Sequence, residues 1–195
     1  VGRLASRDST TRSERSEQPA GSFCYGPAMN DPTGGDATVA VRSAVVIGET
    51  DPELAHAFMA AGGASNFLRG PDFDVDENQL ALGGRMVDLR TPTTVYPDVF
   101  VPLHGRHQGD NAAVALTAVE AFFGRRADDE VVQEGFAKVV VPGRFEIVHR
   151  EPTVVLDAAH NVDGARACAQ TLREEFTLAG TIVVVAGFLQ GRDPA

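Results

Sequence analysis

The chain has 195 residues, of which 43% are hydrophobic and 23% charged, a composition typical of a soluble globular protein with one substantial domain or two small ones. The formal net charge of −10 argues against sequence-independent nucleic-acid binding, which requires clustered lysine and arginine. The two cysteines lack a C-x-x-C pattern and no apolar run approaches about 18 residues, so we expect no zinc site, no disulfide framework, no membrane span and a cytoplasmic location.

The first 38 residues are rich in Ser, Thr, Arg and Gly and have almost no periodic apolar positions. Such a segment cannot bury enough apolar surface to offset the entropy of ordering it, so we predict a disordered or unrelated leader. Residues 39–47 then read as a buried strand of β-branched side chains. Asp51 and Pro52 follow as N-cap and first residue of a helix that runs to about Ala61, with Leu54, Ala57 and Phe58 on one face.

Short alternating segments fill residues 67–101 and are separated by Gly, Asp and Pro. Their spacing, with Gly83-Gly84 suited to a tight hairpin, predicts an antiparallel meander. A helical pattern follows over residues 110–123, ending at Gly124, and predicts a broad apolar face formed by Ala112, Ala113, Ala115, Leu116, Val119, Phe122 and Phe123. A second amphipathic helix is predicted over residues 128–138.

The last part of the chain predicts a parallel strand-helix-strand unit. Residues 153–156 form a short apolar run that delivers Asp157, residues 162–176 are helical in pattern, and residues 181–188 form another apolar run. Since Arg150, Glu151 and Pro152 interrupt two apolar strands, we place a domain boundary at residue 151.

Asp157, His160 and Asn161 follow a predicted strand, where ligands bind in α/β sheets. A carboxylate there can accept hydrogen bonds from ribose hydroxyls, and a histidine can contact phosphate. Equally, Asp157 can cap the next helix while His160-Asn161 turn the chain. Asn111 lies near a predicted helix start, where its side-chain amide can either cap the helix or bind a base or ribose edge. When Asn111 is considered by itself, capping is the favoured interpretation.

Arg144 follows Pro142-Gly143 at a predicted turn, where its guanidinium can stack on a base or clamp a phosphate, although most such arginines form surface ion pairs. His104 and His107 lie three residues apart but lack a third ligand with suitable spacing, so we assign them a structural or hydrogen-bonding role and predict no metal site. The sequence contains no GxxxxGK[ST] loop, the motif that holds the β- and γ-phosphates.

Three phrases together carry a family resemblance: HGRHQGDNAAVAL, VPGRFE and VVLDAAHNVDGARA, in this order. Their combination resembles the Mur ligase superfamily, most closely its folate branch of dihydrofolate synthases and folylpolyglutamate synthases. The resemblance covers about residues 44–195. It implies an α/β fold in which a P-loop-type central ATPase domain is followed by a Rossmann-like C-terminal domain, with ATP held between them.

The resemblance also implies an activity and a set of site residues. The activity is ATP-dependent addition of L-glutamate to dihydropteroate and/or folate through an acyl phosphate, with ATP and Mg²⁺ required. Asn111, Arg144 and Asp157 match nucleotide-contacting residues of the family, and His160 matches a residue near the phosphates, which we assign as catalytic. The expected partners are therefore small molecules, namely ATP, L-glutamate and folate or dihydropteroate, with no nucleic acid, no membrane and a monomeric state.

The sequence departs from the family in two respects. The family's phosphate loop, its magnesium ligands and its carbamylated lysine all precede the region that corresponds to Ala44, and residues 1–43 contain none of them. Ala158 also stands where the family commonly has glycine. We therefore interpret residues 39–150 as the C-terminal part of the ATPase domain and residues 151–195 as the beginning of the C-terminal domain, in a fragment inactive alone.

Two alternatives remain open. One is a non-catalytic nucleotide-binding or assembly fragment. The other is a Mur-type ligase that acts on cell-wall precursors, which the folate-like meander around DFDVDENQLALGG disfavours.

Overall fold

The computed structural model describes residues 43–60, 65–177 and 180–187, so the predicted leader and the first four residues of the strand predicted over 39–47 lie outside the described residues. The described elements, in chain order, are β1 (Ala44–Ile47), α1 (Pro52–Ala60), β2 (Ser65–Leu68), β3 (Asp74–Ala81), β4 (Gly84–Arg90), β5 (Val95–Val101), α2 (His107–Phe123), α3 (Asp129–Ala137), β6 (Glu146–Arg150), β7 (Thr153–Leu156) and α4 (Val162–Glu175). This is the mixed α/β composition that the sequence predicts. None of the described helices combines the length and apolarity needed to cross a membrane.

The strand-helix-strand unit with parallel strands lies early in the described chain. β1 and β2 pair in parallel, with α1 between them in sequence. Phe67 therefore belongs to this small sheet, and the prediction that the meander begins at Phe67 is wrong. A parallel pair needs a crossover connection, and the helix that follows Asp51 supplies it.

The start of α1 is as predicted, but its apolar face is not buried. Asp51 caps the helix, because its Oδ1 accepts hydrogen bonds from the backbone N–H groups of Glu53 at 2.9 Å and Leu54 at 3.4 Å. Leu54 and Phe58 are more than half exposed, and Ala55 is the buried residue of the helix. The periodic pattern identifies the helix correctly, but the described residues do not cover the face it predicts.

The predicted meander is confirmed as the antiparallel sheet β3-β4-β5. Its first hairpin turns at Leu82 and Gly83, with Ala81 opposite Gly84. Gly83 has a φ of +81°, and a Cβ on Gly84 would lie 2.2 Å from the carbonyl oxygen of Val101. The turn therefore requires glycine at one position for its conformation and at the other for its close approach to β5.

The core lies between this sheet and α2. Fully buried side chains of the sheet pack with small residues of the helix, and the cluster contains Phe67, Phe73, Val87, Leu89, Tyr96, Val99, Val101, Ala112, Ala113, Leu116 and Val132. The small alanines allow α2 to approach the sheet closely. Burying each large apolar side chain contributes about 1.5–3 kcal/mol.

Helix α2 begins earlier than predicted, at His107, and ends as predicted at Gly124, which adopts a left-handed φ of 64°. Its predicted apolar face is only partly buried. Val119, Phe122 and Phe123 are 46%, 83% and 63% exposed, so including them in the core was wrong. Glu120, in the same turn as Val119, is 4% exposed and accepts a hydrogen bond from Tyr96 of β5, so this turn still meets the sheet, but through a polar side chain. Helix α3 is confirmed to within a residue at each end.

The last part of the chain differs most from the prediction. β7 pairs with β6 in an antiparallel hairpin, and most of its side chains are exposed, so the prediction of a buried parallel strand is wrong. Residues 181–187 form no strand, and Val183, Val184 and Val185 are 78–95% exposed. The apolar run has no strand beside it in the described part of the chain, and a strand needs such a partner. Phe188, at the end of the predicted strand, lies outside the described residues.

Candidate functional site: a pocket between two loops and two helices

A pocket of about 340 Å³ lies where four segments meet. These segments are the first turn of α2, the turn that precedes β6, the loop that follows β7, and the first half of α4. The residues that line it are His107, Arg144, Phe145, Asp157, Ala159, His160, Asn161, Asp163, Gly164, Ala167 and Cys168. The pocket therefore contains residues of the VPGRFE and VVLDAAHNVDGARA phrases. The HGRHQGDNAAVAL phrase contributes His107.

Three of the four predicted site residues line this pocket: Arg144, Asp157 and His160. The fourth, Asn111, does not. It lies on α2 one turn after His107, and its Nδ2 donates a hydrogen bond to Oε1 of Gln108 at 3.1 Å. Because α2 begins four residues before Asn111, the prediction of a capping role for Asn111 is wrong.

Asp157 joins the two loops of the pocket. Its Oδ2 accepts a hydrogen bond from the backbone N–H of Phe145 at 3.0 Å, and its Oδ1 accepts one from the backbone N–H of Ala159 at 2.7 Å. Asp157 does not cap α4. That role belongs to Asn161, whose Oδ1 accepts a hydrogen bond from the backbone N–H of Gly164 at 2.7 Å.

Arg144 lies between two residues with left-handed backbone conformations. Gly143 has a φ of +71°, and Phe145 has a φ of +48° although it carries a bulky side chain and is only 3% exposed. A left-handed conformation at a residue other than glycine costs about 1–3 kcal/mol, so the surroundings must hold it in place. Asp157 does so at Phe145, and the Ala158 N–H donates to the carbonyl oxygen of Gly143 at 2.7 Å. The turn thus presents Arg144 at a fixed point of the pocket wall.

Two features of the pocket can attract an anion. One is the guanidinium of Arg144. The other is the N-terminus of α4, a helix of 14 residues whose first turn, including Gly164, lines the pocket. Helix N-termini bind anions because their unpaired N–H groups and the helix dipole favour negative charge. Asp157 and Asp163 supply acceptors for hydroxyl or amide donors in the same space.

His107, for which the sequence predicts only a structural or hydrogen-bonding role, also lines the pocket. Burial lowers its pKa, the carboxylates of Asp110 and Asp157 partly oppose this, and the charge of Arg144 lowers the pKa further. The imidazole is therefore neutral at pH 7. Its Nε2 lies 3.0 Å from Nε2 of Gln108. No signal in the sequence marked this position, because α2 begins at His107, three residues before the start that its apolar pattern predicts.

Cys168 lines the pocket from the opposite helix, α4. Burial raises the pKa of its thiol, and the negative charge of Asp157 adds to this effect. The thiol is therefore protonated at neutral pH and unreactive compared with an exposed cysteine.

His104 takes no part in the pocket and has the hydrogen-bonding role expected of it. Its Nδ1 lies 2.8 Å from Oε2 of Glu175. Within residues 43–60, 65–177 and 180–187, no group of three or more His, Cys, Asp or Glu side chains is arranged to hold a metal ion. The described residues therefore provide no ready-made ligand cluster for a magnesium ion.

Comparisons with known proteins agree with this geometry. Residues 143–195 match the Mur ligase, glutamate ligase domain. The chain is 43% identical over 152 residues to the dihydrofolate synthase/folylpolyglutamate synthase of Mycobacterium tuberculosis (strain ATCC 25618 / H37Rv). This alignment covers 74% of this chain and 30% of that protein. The chain is a relative of the folate-branch Mur ligases. The resemblance carried by the three sequence phrases is therefore confirmed.

A second folate-branch relative is the dihydrofolate synthase/folylpolyglutamate synthase of Bacillus subtilis (strain 168), 33% identical over 138 residues, or 68% of this chain and 32% of that protein. Crystal structures of Mycobacterium tuberculosis folylpolyglutamate synthase complexed with ADP and AMPPCP match the fold with a TM-score of 0.66 and 44% identity, covering 69% of this chain and 31% of that one. The folate-branch fold predicted from the sequence is thus confirmed over the matched part. The chain spans 30–32% of the length of the two curated relatives.

Proposed function

We propose that the pocket forms part of the ATP site of a ligase that adds L-glutamate to dihydropteroate and/or folate through an acyl phosphate. One observation carries this proposal. Arg144, His160 and the N-terminus of α4 converge on a single pocket in a chain 44% identical to an enzyme crystallised with ADP and AMPPCP. Cationic and N–H groups that converge on one point are the means by which proteins stabilise charge on a transferring phosphoryl group.

Arg144 and the start of α4 would bind the nucleotide phosphates. The guanidinium can make two parallel hydrogen bonds to one phosphate, and its turn is held on both sides. His160 lies between them in sequence, in the loop before α4, with its Nδ1 3.2 Å from the carbonyl oxygen of Ala158. Since a carbonyl oxygen only accepts, this contact requires the proton on Nδ1, and we assign His160 as the proposed catalytic residue near the phosphates.

Asp157 would have two roles. Each of its carboxylate oxygens accepts one backbone hydrogen bond, which leaves lone pairs able to accept from ribose hydroxyl groups. Asn111 would contact the nucleotide beyond the pocket, since it lies one turn further along α2 than His107. Its amide is paired with Gln108, so such a contact requires one of its remaining donor or acceptor positions.

The remaining assignments are part of the same proposal. Residues 39–150 would be the C-terminal part of the ATPase domain, and residues 151–195 would be the beginning of the C-terminal domain. The family match begins earlier, at residue 143, and would place Arg144 in the C-terminal domain. Magnesium ligands would lie outside the described residues. We further expect a monomer in the cytoplasm, which light scattering and cell fractionation can test.

The second candidate function is nucleotide binding without catalysis. It is favoured by the sequence itself, which holds the pocket residues but no GxxxxGK[ST] loop. Binding and turnover are therefore tested separately. An assay with dihydropteroate or tetrahydrofolate, L-glutamate, ATP and Mg²⁺ would detect turnover as phosphate release that depends on both substrates. Such release by this chain alone would overturn our expectation that it is inactive.

Binding is tested by titrating the chain with a fluorescent ADP analogue. We expect Arg144→Ala to weaken binding by about tenfold or more, because a charge-assisted pair to phosphate contributes about 1.5–3 kcal/mol. Arg150→Ala is the matched control, because Arg150 is an exposed arginine at the end of β6 and does not line the pocket. Equal loss in both variants, or no binding by the parent chain, would contradict the proposed nucleotide site.

A further inference from the structure

Glu175, the last residue of α4, is a buried carboxylate whose partners all come from a distant part of the chain. Its side chain is 1% exposed. Its Oε1 accepts hydrogen bonds from Nη1 of Arg85 at 3.0 Å and from the backbone N–H of Gly105 at 2.9 Å. Its Oε2 lies 2.8 Å from Nδ1 of His104. We call these four residues, Glu175, Arg85, Gly105 and His104, the Glu175 cluster.

The position of Arg85 in this cluster is fixed from the other side. Arg85 lies on β4, its side chain is 5% exposed, and its Nε and Nη2 donate to Oδ1 and the carbonyl oxygen of Asn78 at 2.8 and 3.0 Å. The guanidinium is therefore anchored in the meander and directs its remaining donors at α4. A buried ion pair contributes little net stability, because desolvation offsets the attraction, but its geometry can specify how two elements dock.

The backbone before α2 approaches α4 closely at the same point. Gly105 has a φ of +101°, and a Cβ there would lie 2.7 Å from Oγ1 of Thr171 and 2.5 Å from Cε1 of His107. Thr171 is itself 2% exposed. The second half of α4 is thus pressed against the segment that leads into His107, independently of the ion pair.

Aromatic packing connects the Glu175 cluster to the pocket. The ring of His104 lies 5.8 Å from that of Phe145 and 5.3 Å from that of Phe176, and the two phenylalanine rings are 5.3 Å apart. Phe145 lines the pocket and is bonded to Asp157. A change at the cluster would therefore reach the Pro-Gly-Arg turn through one layer of packed rings.

The two halves of α4 have different partners. The second half, with Thr171 and Glu175, contacts the segment before α2, whereas the first half, with Ala167 and Cys168, forms one wall of the pocket. Because a helix moves as a rigid body over such a length, anchoring its second half fixes the position of its first. His107 belongs to the opposite wall and follows Gly105 closely in the chain.

We propose that Glu175 is a positioning residue: by binding Arg85, His104 and the Gly105 N–H it sets the distance between the α4 wall and the His107 wall, and so shapes the pocket for a nucleotide phosphate. The ligand class rests on the proposed function, but the positioning does not. A residue that only stabilised the fold would lower the unfolding temperature without changing the pocket of the folded protein.

Alkylation of Cys168 reports the α4 wall without any ligand. In a Cys24→Ser background Cys168 is the single thiol of the chain. Its rate of reaction with iodoacetamide is measured at a temperature where circular dichroism shows each variant fully folded. We expect Glu175→Gln to raise the rate by about fivefold or more, because loss of the anchor lets α4 open locally. The matched control is Glu174→Gln, since Glu174 is exposed and accepts from Gln170 on its own helix.

Titration with the fluorescent ADP analogue follows on the same variants. We expect Glu175→Gln to bind about tenfold more weakly than the Glu174→Gln control, since a misplaced wall must be reordered before binding. If the parent chain binds no nucleotide, the proposed function fails while the alkylation rates still decide the positioning role. The two failures are therefore distinguishable.

A variant that leaves the charge of Arg85 buried without a carboxylate partner can fail to fold. In that case the double variant Arg85→Gln/Glu175→Gln, which removes both buried charges and retains hydrogen-bonding groups, carries the same test. A raised Cys168 rate in the folded double variant supports the proposal. A rate within about twofold of the control, in whichever of the two variants folds, overturns it.

Discussion

The carboxylate of Asp157 accepts the backbone N–H of Phe145 at 3.0 Å and thereby holds the Pro-Gly-Arg turn against the loop that follows β7. This bond spans the turn that presents Arg144 and stabilises Phe145 in its left-handed conformation. Asp157 is therefore both part of the pocket wall and the connection that builds it. Its structural role and its proposed role in binding cannot be separated by removing the side chain, and a substitution that keeps its shape is more informative.

We predict that Asp157→Asn lowers both stability and nucleotide affinity. The amide keeps one acceptor oxygen but replaces the other with a donor, which faces a backbone N–H that is itself a donor. Such a loss costs about 1–3 kcal/mol, measurable by urea unfolding, and the loosened turn should weaken binding of the ADP analogue by about tenfold. Asp129→Asn, at an exposed ion pair, is the control and should change stability by less than about 1 kcal/mol. Unchanged stability in Asp157→Asn would contradict this role.

The pH dependence of stability should reveal His107. Burial lowers the pKa of His107 in the folded state, so the unfolded chain binds a proton at higher pH than the folded one. Stability is then complete above the usual histidine pKa of about 6.5 and falls as the pH is lowered through the folded-state pKa. We predict that His107→Gln makes the unfolding free energy less sensitive to acid between about pH 7 and 5.

The control for this measurement is His56→Gln, at an exposed position on α1. It should leave the pH dependence of the parent unchanged. A parent whose slope equals that of His107→Gln would show that this imidazole titrates normally in the folded protein.

The sequence predicts local structure best where one residue decides the outcome. Asp51 and Gly124 determine helix ends through their own hydrogen bond or conformation, and Gly83-Gly84 determine a hairpin, so all three were predictable. Burial depends on which elements meet. The apolar pattern of residues 110–123 identifies the helix correctly, but nothing in that pattern shows that Leu116 meets the sheet while Phe122 and Phe123 do not.

The site was predictable to a similar extent. Arg144, Asp157 and His160 could be found because their loops have distinctive sequences, and the structure brings them to one pocket. His107 could not, since its burial depends on the approach of α4, about 60 residues later in the chain. Glu175 gave no signal either, because a glutamate at a helix end is usually exposed and its three partners are distant in sequence.

The hydrogen bond between Tyr96 and Glu120 should make the free energy of unfolding depend on pH in the alkaline range. Both side chains are buried, and the Tyr96 hydroxyl donates to Glu120 Oε1. Burial, together with this bond and the charge of Glu120, raises the pKa of Tyr96 to about 12. The unfolded chain loses the phenol proton near pH 10 while the folded one retains it, so stability is complete below about pH 10 and falls as the pH rises towards 12.

We predict that Tyr96→Phe removes this alkaline loss and lowers stability at pH 7 by about 1–3 kcal/mol, because Glu120 loses a donor while buried. Glu120 keeps its bonds from Thr93 Oγ1 at 2.8 Å and the Ala127 N–H at 3.0 Å, which limits the cost. Urea unfolding at pH 7, 10 and 11 measures both effects. An alkaline slope that is the same in the parent and in Tyr96→Phe would contradict the raised pKa.

Alanine substitutions at Gly70 and Gly105 distinguish the free-energy cost of an unfavourable backbone conformation from the cost of crowding against α4. A Cβ on Gly70, which has a φ of +94°, would have nothing within 4 Å, whereas a Cβ on Gly105, which has a φ of +101°, would lie 2.5 Å from His107 and 2.7 Å from Thr171. Gly70→Ala should therefore lose about 1–2 kcal/mol for conformation alone. Gly105→Ala should lose a further 1–3 kcal/mol, roughly the cost of overpacking, and should raise the alkylation rate of Cys168, since α4 must shift to accommodate the methyl group. Equal losses of stability in the two variants, by urea unfolding, would show that α4 does not press on this segment.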